Sequence, residues 1–150
     1  MDASEDLLEF NKAFEGLRLR KYRAGAEKWT IGRGHLILPG EDLDEITLEK
    51  ADELYAADMA VAVVAAAEAV DGADLRQHEF DAVVDFTYQF GAKKLQASTL
   101  LKLLKEGRFA EAALEFPRWC FVDGHRDAGV MWRRYGNLRI FLLADYTVRP

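Results

Sequence analysis

The chain has 150 residues, a length that suits one domain with a core large enough to fold unaided. Half of the residues are apolar and 31% are charged, which is ordinary for a globular protein. The net charge of −6 argues against nucleic acid as a partner, because binding to phosphates needs clustered lysine and arginine.

The N-terminal segment and the single cysteine bear on location and redox chemistry. The first ten residues, MDASEDLLEF, lack the basic start and apolar core of a secretory signal peptide. No apolar run is both long enough and free enough of charge to span a membrane, so we expect no stable membrane association. Cys120 is the only cysteine, which excludes an internal disulfide, and its apolar neighbours favour a buried structural thiol.

The first elements in the chain are a short helix and a β-hairpin. Apolar residues recur at helical spacing over residues 4–14, and Gly16 ends the pattern. Residues 17–22 then alternate, a turn follows at residues 24–26, and the run Trp29-Thr30-Ile31 returns as the second strand.

A long helix follows, and the pattern after it predicts only helices. Thr47 can cap a helix that reaches Val70, with apolar residues at steps of three and four. Such a helix is about 35 Å long, enough to connect two lobes. The later helices are predicted at residues 78–90, 99–107, 109–116 and 129–143.

These elements predict a mainly helical α+β fold in a single domain over residues 1–150. A small hairpin lobe would occupy residues 15–45, the connecting helix residues 47–70, and a larger helical lobe residues 75–150. We expect a cleft between the two lobes.

Glu15 is the first candidate for chemistry. It lies where the first helix ends and the first strand begins, so its side chain can project into the predicted cleft. A carboxyl group partly shielded by Phe14, Leu17 and Trp29 could hold a proton and donate it. The alternative is a solvated glutamate at a helix end.

A set of motifs in a fixed order gives the chain a family resemblance. It resembles the bacteriophage-type lysozymes, glycoside hydrolase family 24, over nearly its whole length. The matching residues are Phe14-Glu15-Gly16, Leu17, Leu19, Tyr22, Trp29-Thr30-Ile31-Gly32, Gly34-His35, Ile46-Thr47, Gln77, Phe80-Asp81-Ala82, Phe86, Gly91, Ser98-Thr99-Leu100-Leu101, Arg118-Trp119, Gly124, Gly129, Arg133-Arg134 and Ile140-Phe141-Leu142.

The resemblance implies a two-lobed fold and an activity. Members of that family hydrolyse the β-1,4 bond between N-acetylmuramic acid and N-acetylglucosamine in peptidoglycan, without a cofactor. Glu15 matches the general acid of the family, and Thr30 matches the threonine that positions the attacking water. The family aspartate falls at position 24, where this chain has Ala24.

Ala24 leaves three readings open, because glycoside hydrolysis normally uses two carboxyl groups. Glu27, in the same turn, could supply the second carboxylate from a shifted position. Glu15 and Thr30 could instead suffice at a reduced rate. The third reading is a domain that binds glycan without cleaving it.

The resemblance also implies roles for residues outside the hairpin. His35 matches a histidine that pairs with an aspartate of the long helix, here Asp58, and we favour this pair over a metal site because no metal-binding motif is present. Either Arg133 or Arg134 could place a guanidinium near Glu15. The positions that match substrate contacts along the cleft are Leu36, Gln89 and Trp119.

The sequence therefore predicts a monomeric, cofactor-free peptidoglycan hydrolase with bacterial peptidoglycan as its partner. The alternative is a non-catalytic peptidoglycan-binding or scaffold domain. We expect synthesis in the bacterial cytoplasm without a signal peptide and action on the cell wall after release or delivery by another system. A free endolysin and a domain of a larger secreted effector both fit.

Overall fold

Helix α1 (Glu5–Glu15) opens the fold in the computed structural model, which describes residues 1–23 and 28–149. The Ser4 hydroxyl caps the helix by accepting a hydrogen bond from the Leu7 N–H. Gly16 ends it with φ of 67°, a left-handed conformation that favours glycine. Glu15 is thus the last helical residue, so regular backbone fixes the direction in which its side chain leaves.

A three-stranded antiparallel sheet follows α1. Its strands are β1 (Arg18–Arg23), β2 (Trp29–Gly32) and β3 (His35–Leu36), in that spatial order. Thr30, in the central strand, pairs with Tyr22 on one side and with Leu36 on the other. The turn expected at residues 24–26 lies outside the described residues.

Helix α2 (Leu48–Ala69) links the sheet to the rest of the chain. Its 22 residues span about 33 Å, as the periodicity predicts. Thr47 caps it by accepting from the Lys50 N–H at 3.1 Å. The sheet packs closely on α2 at Gly32, where an added Cβ would lie 3.5 Å from Ala51.

The remaining helices form the larger lobe around one apolar core. Helix α1 also packs here, although it comes first in the chain, because Leu7 and Phe10 are buried in the same core. The close contact between α1 and α7 requires Gly136, where an added Cβ would overlap the Phe10 ring. The elements are α3 (Gln77–Phe90), α4 (Ala92–Gln96), α5 (Thr99–Lys105), α6 (Phe109–Ala113), a 3-10 turn (Phe116–Arg118) and α7 (Ala128–Leu143).

The mainly helical α+β prediction is confirmed, but the expectation of helices only after Leu75 is wrong. A short hairpin interrupts them, with strands β4 (Phe121–Val122) and β5 (His125–Arg126). Its two-residue turn is Asp-Gly, and both residues have positive φ, 49° and 80°. This turn matches the right-handed twist of paired strands, so the Asp-Gly dipeptide was the signal available in the sequence.

The helix predicted at residues 109–116 is also too long. Helix α6 ends at Ala113 and a 3-10 turn follows at Phe116–Arg118, because Pro117 has no N–H to donate to the Ala113 carbonyl in a continued α-helix. Cys120 is buried, as expected. Among the described residues, none of the helices combines the length and apolar character needed to cross a bilayer.

Candidate active site

The Glu15 carboxyl is held by an arginine from the last helix. Arg133 Nη1 donates to Glu15 Oε1 at 2.6 Å, and this contact joins residues 118 positions apart in sequence. The Glu15 side chain is 17% exposed and that of Arg133 only 6%. Of the two arginines that the sequence offered as neighbours of Glu15, Arg133 is therefore the one that bonds to it.

The second carboxyl oxygen of Glu15 faces the sheet. Gly34, in the turn between β2 and β3, has φ of 83°, and a Cβ added there would overlap Glu15 Oε2. Only glycine both adopts this backbone conformation readily and leaves room for the carboxyl. The two oxygens thus have different surroundings: Oε1 accepts from a cation, whereas Oε2 lies against the turn.

The carboxylate of Asp85 lies fully buried behind the ion pair between Glu15 and Arg133. Its two oxygens accept hydrogen bonds at 2.8 to 3.0 Å from the side chains of Asn11, Arg133, Arg134 and Asn137. Burial alone would raise the pKa of Asp85, but the two guanidinium groups outweigh burial and hold this pKa far below its usual range. Asp85 therefore carries a negative charge in the folded protein.

The expected partners of Glu15 in the hairpin are only partly described. Thr30 is 6% exposed in the central strand β2, and the turn that contacts Glu15 follows directly after this strand. Ala24 and Glu27 lie outside the described residues. The Glu15 carboxyl therefore lies at the turn that ends strand β2, the strand that carries Thr30.

His35 bonds to carboxylates through both ring nitrogens. Its Nδ1 lies 2.8 Å from Asp58 Oδ2 on α2, and its Nε2 lies 2.9 Å from Glu41 Oε2 in the loop after β3. Burial alone would lower the pKa of His35, but hydrogen bonds to Glu41 and Asp58 raise it above 6.5. Sequence reasoning named Asp58 but missed Glu41.

A cleft of about 380 Å³ opens beside His35, between the sheet and the helices α2 and α3. Leu36 and Asp58 line it together with Tyr88, whose hydroxyl donates to the Arg33 carbonyl at 3.1 Å and so joins the two lobes. Tyr88 was not predicted, although it precedes the predicted Gln89.

Gln89 and Trp119 are both partly buried, and neither is among the described residues that line this cleft. Trp119 packs edge-on against Phe86, with ring centroids 4.8 Å apart, and tilted against Phe90 at 5.0 Å. These contacts belong to the core of the helical lobe. Gln89 Oε1 is buried and accepts no hydrogen bond from the described residues.

Glu15 thus ends a helix that packs in the helical lobe, and its carboxyl group meets the turn between β2 and β3 of the hairpin lobe. The family model for phage lysozyme matches residues 12–137. The chain therefore belongs to the phage lysozyme family.

Curated relatives are endolysins of phages. The chain is 36% identical to the endolysin of Bacillus phage B103 over 97% of its own length and 56% of the relative. The corresponding values for the endolysin of Bacillus phage PZA are 36%, 94% and 55%, so the chain spans about half the length of these two proteins. The endolysin of Acyrthosiphon pisum secondary endosymbiont phage 1 is 34% identical over 94% of the chain and 98% of the relative.

Solved structures agree with this family. The endolysin from Escherichia coli O157:H7 phage FAHEc1 superimposes with a TM-score of 0.86 at 32% identity, over 98% of this chain and 97% of that one. The muramidase domain of SpmX from Asticaccaulis excentricus superimposes with a TM-score of 0.82 at 30% identity, over 94% and 97% of the two chains.

Proposed function

We propose that this chain is a peptidoglycan hydrolase that cleaves the β-1,4 bond between N-acetylmuramic acid and N-acetylglucosamine. The observation that carries the proposal is the placement of Glu15, with one oxygen on Arg133 and the other against Gly34 at the sheet. The names of the relatives support the same function, since one matched structure is a muramidase domain and others are endolysins.

In the proposed reaction Glu15 is the general acid. Its carboxyl group gives a proton to the glycosidic oxygen while the bond between that oxygen and C1 breaks. Because Oε1 accepts from Arg133, Oε2 is the oxygen that carries the transferred proton. Thr30 positions the water whose oxygen adds to C1, and that water releases its own proton to a base or to solvent. No cofactor takes part.

The remaining roles are proposed for residues on and near the cleft. Leu36, at its lip, and Gln89 and Trp119, on the helical lobe, would contact the glycan. His35 and Asp58 would hold the lip in place through their ion pair. We further propose that the protein acts as a monomer on the cell wall.

The absence of the family aspartate predicts a reduced rate. Ala24 cannot activate water, so either Glu27 does so or hydrolysis depends on proton donation and substrate positioning alone. Losing one of two catalytic carboxyl groups costs about 100-fold or more.

The first test is clearing of a suspension of cell walls, with soluble reducing sugar as a second readout. We expect clearing by the wild type and none by Glu15→Gln, which keeps the shape of the side chain but has no acidic proton. Glu9→Gln is the matched control, because Glu9 lies on the exposed side of the same helix. Equal activity of the two variants would exclude Glu15 as the acid.

The second test asks where the second carboxylate is. Ala24→Asp should raise the rate about 100-fold if a missing carboxylate limits hydrolysis. Glu27→Ala should abolish residual activity if Glu27 has taken over, and should leave it intact if it has not.

The alternative function, a non-catalytic binding domain, is favoured by the same Ala24. It predicts that the wild type sediments with insoluble peptidoglycan but neither clears the suspension nor releases reducing sugar. Release of sugar that depends on Glu15 would exclude it.

A further inference from the structure

We propose that Asp85 is a positioning residue that aims Arg133 at Glu15 and offsets the charge of Arg134. This inference rests on the proposed function, because it is the proton carried by Glu15 that Asp85 would support. Nothing in the sequence motifs singles out Asp85, which lies on α3 and does not touch Glu15.

The geometry of the Arg133 guanidinium carries the first step. Asp85 occupies two of its nitrogens, with Nε at 3.0 Å from Oδ2 and Nη2 at 2.9 Å from Oδ1. This two-point contact fixes the plane of the group, because a guanidinium is rigid and its donors diverge at set angles. The third nitrogen, Nη1, then points to Glu15 Oε1 at 2.6 Å.

The balance of buried charge carries the second step. Arg134 is fully buried and donates to Asp85 Oδ2 at 2.9 Å, while its Nε and Nη1 have no partner among the described residues. With Asp85 ionised, Glu15 faces one net positive charge from this cluster. Without Asp85 it would face two, and its ionised form would be favoured over the protonated form that donates.

The other groups packed near Glu15 do not supply this balance. Burial raises the pKa of both Tyr55, on α2, and Tyr88, on α3, so both phenols are neutral over the working range. From the sheet side, Arg33 bonds to Asp52 at 2.9 Å. Among the described residues, Asp85 is therefore the carboxylate that bonds to both Arg133 and Arg134 and offsets their charge.

The experiment follows the protonation of Glu15 directly, in protein labelled with ¹³C at glutamate carboxyl carbons, and measures hydrolysis in parallel. Asp85→Asn should lower the pH midpoint of Glu15, because two guanidinium groups remain without the carboxylate that offsets one of them. Arg134→Met should raise the midpoint. The double variant with both substitutions loses one negative and one positive charge, so its midpoint should lie close to the wild-type value. A structural role alone would not produce opposite shifts.

Activity should change in the same order. In Asp85→Asn, kcat should fall about tenfold, KM should stay the same, and the alkaline limb of the pH profile should move to lower pH. Asp81→Asn is the matched control: Asp81 is buried one turn earlier on α3, but its partners are Ser4, Gln77 and Tyr146. This variant should lose stability and leave the Glu15 midpoint in place.

The outcomes separate this proposal from the proposed function. An active wild type whose Glu15 midpoint is unmoved by Asp85→Asn or by Arg134→Met would overturn the role of Asp85 and leave the function standing. An inactive wild type would overturn the function, while the titration would still report on Asp85. If Asp85→Asn does not fold, Arg134→Met and the double variant decide: a midpoint unmoved by Arg134→Met overturns the proposal.

Discussion

At the scale of single residues, the candidate site depends on one glycine as much as on charged groups. Glu15 Oε2 has room only because position 34 lacks a side chain. A catalytic carboxyl must be held within a fraction of an ångström to be productive, so crowding at this point should affect rate more than stability.

Gly34→Ala tests this dependence. The added methyl group would displace the flexible Glu15 carboxyl, so the rate should fall about 100-fold, whereas the strain of a positive φ should cost about 1 kcal/mol of stability. Gly72→Ala is the control, because Gly72 has the same φ of 83° with nothing within 4 Å of the added Cβ. Cell-wall clearing and urea unfolding of both variants check the prediction. Equal rates in the two variants would contradict it.

Some residues of the candidate site could be predicted from the sequence, and others could not. Glu15 and Thr30 could be named from a local motif, since each lies at a recognisable end or return of an element. The choice between Arg133 and Arg134 could not, because neighbouring positions on a helix both face the interior here. Asp85 gave no signal either, because its importance comes from arginines 48 and 49 positions away.

At the scale of elements, the periodicity of apolar residues predicted the long helices but not the short strands. Helix α2 agrees with its apolar pattern and its capping threonine, but β4 and β5 have two residues each, too few to show alternation. Loops escaped for a different reason. Glu41 reaches His35 from a loop, and no periodic pattern predicts where a loop residue will point.

The contacts of His35 join three elements and should make stability depend on pH. Because the folded pKa of His35 lies above 6.5, its contribution is complete below that pH and is lost as pH rises through the folded value. The backbone N–H of Leu38 and the ring of His35 lower the pKa of Glu41 below 4.5, so its contribution is lost as pH falls. The ion pairs of His35 should therefore stabilise the fold most between pH 4.5 and pH 6.5.

His35→Gln checks this pH window. Its melting temperature should lie about 3 °C below that of the wild type near pH 5.5, and the difference should shrink as the pH rises toward 8.5, because deprotonation of wild-type His35 removes its ion pairs. His78→Gln is the control, because the His78 ring bonds to a backbone carbonyl rather than to a carboxylate. A difference for His35→Gln that stays constant across this range would contradict the ion-pair account.

At the scale of the whole molecule, both ends of the chain are fastened to one buried carboxylate. Asp81 Oδ2 accepts from the Ser4 hydroxyl at 2.5 Å and from the Tyr146 hydroxyl at 2.6 Å. Ser4 precedes α1, which carries Glu15, and Tyr146 follows α7, which carries Arg133. The contact between Glu15 and Arg133 therefore depends on two helices that are joined to α3 at Asp81 as well as through the core.

Removal of the two hydroxyls should be more than additive. Ser4→Ala and Tyr146→Phe should each lower the free energy of unfolding by about 1 kcal/mol, because each leaves Asp81 Oδ2 one donor. The double variant leaves that buried oxygen neither of them, so its loss should exceed the sum by about 1 kcal/mol. Urea unfolding of the four proteins measures this coupling.

Ser98→Ala separates the effect of a lost helix cap, because Ser98 caps α5 without contacting Asp81. The losses of Ser98→Ala and Tyr146→Phe should simply add in the variant that combines them. If the losses of Ser4→Ala and Tyr146→Phe also simply add, Asp81 does not couple the two ends.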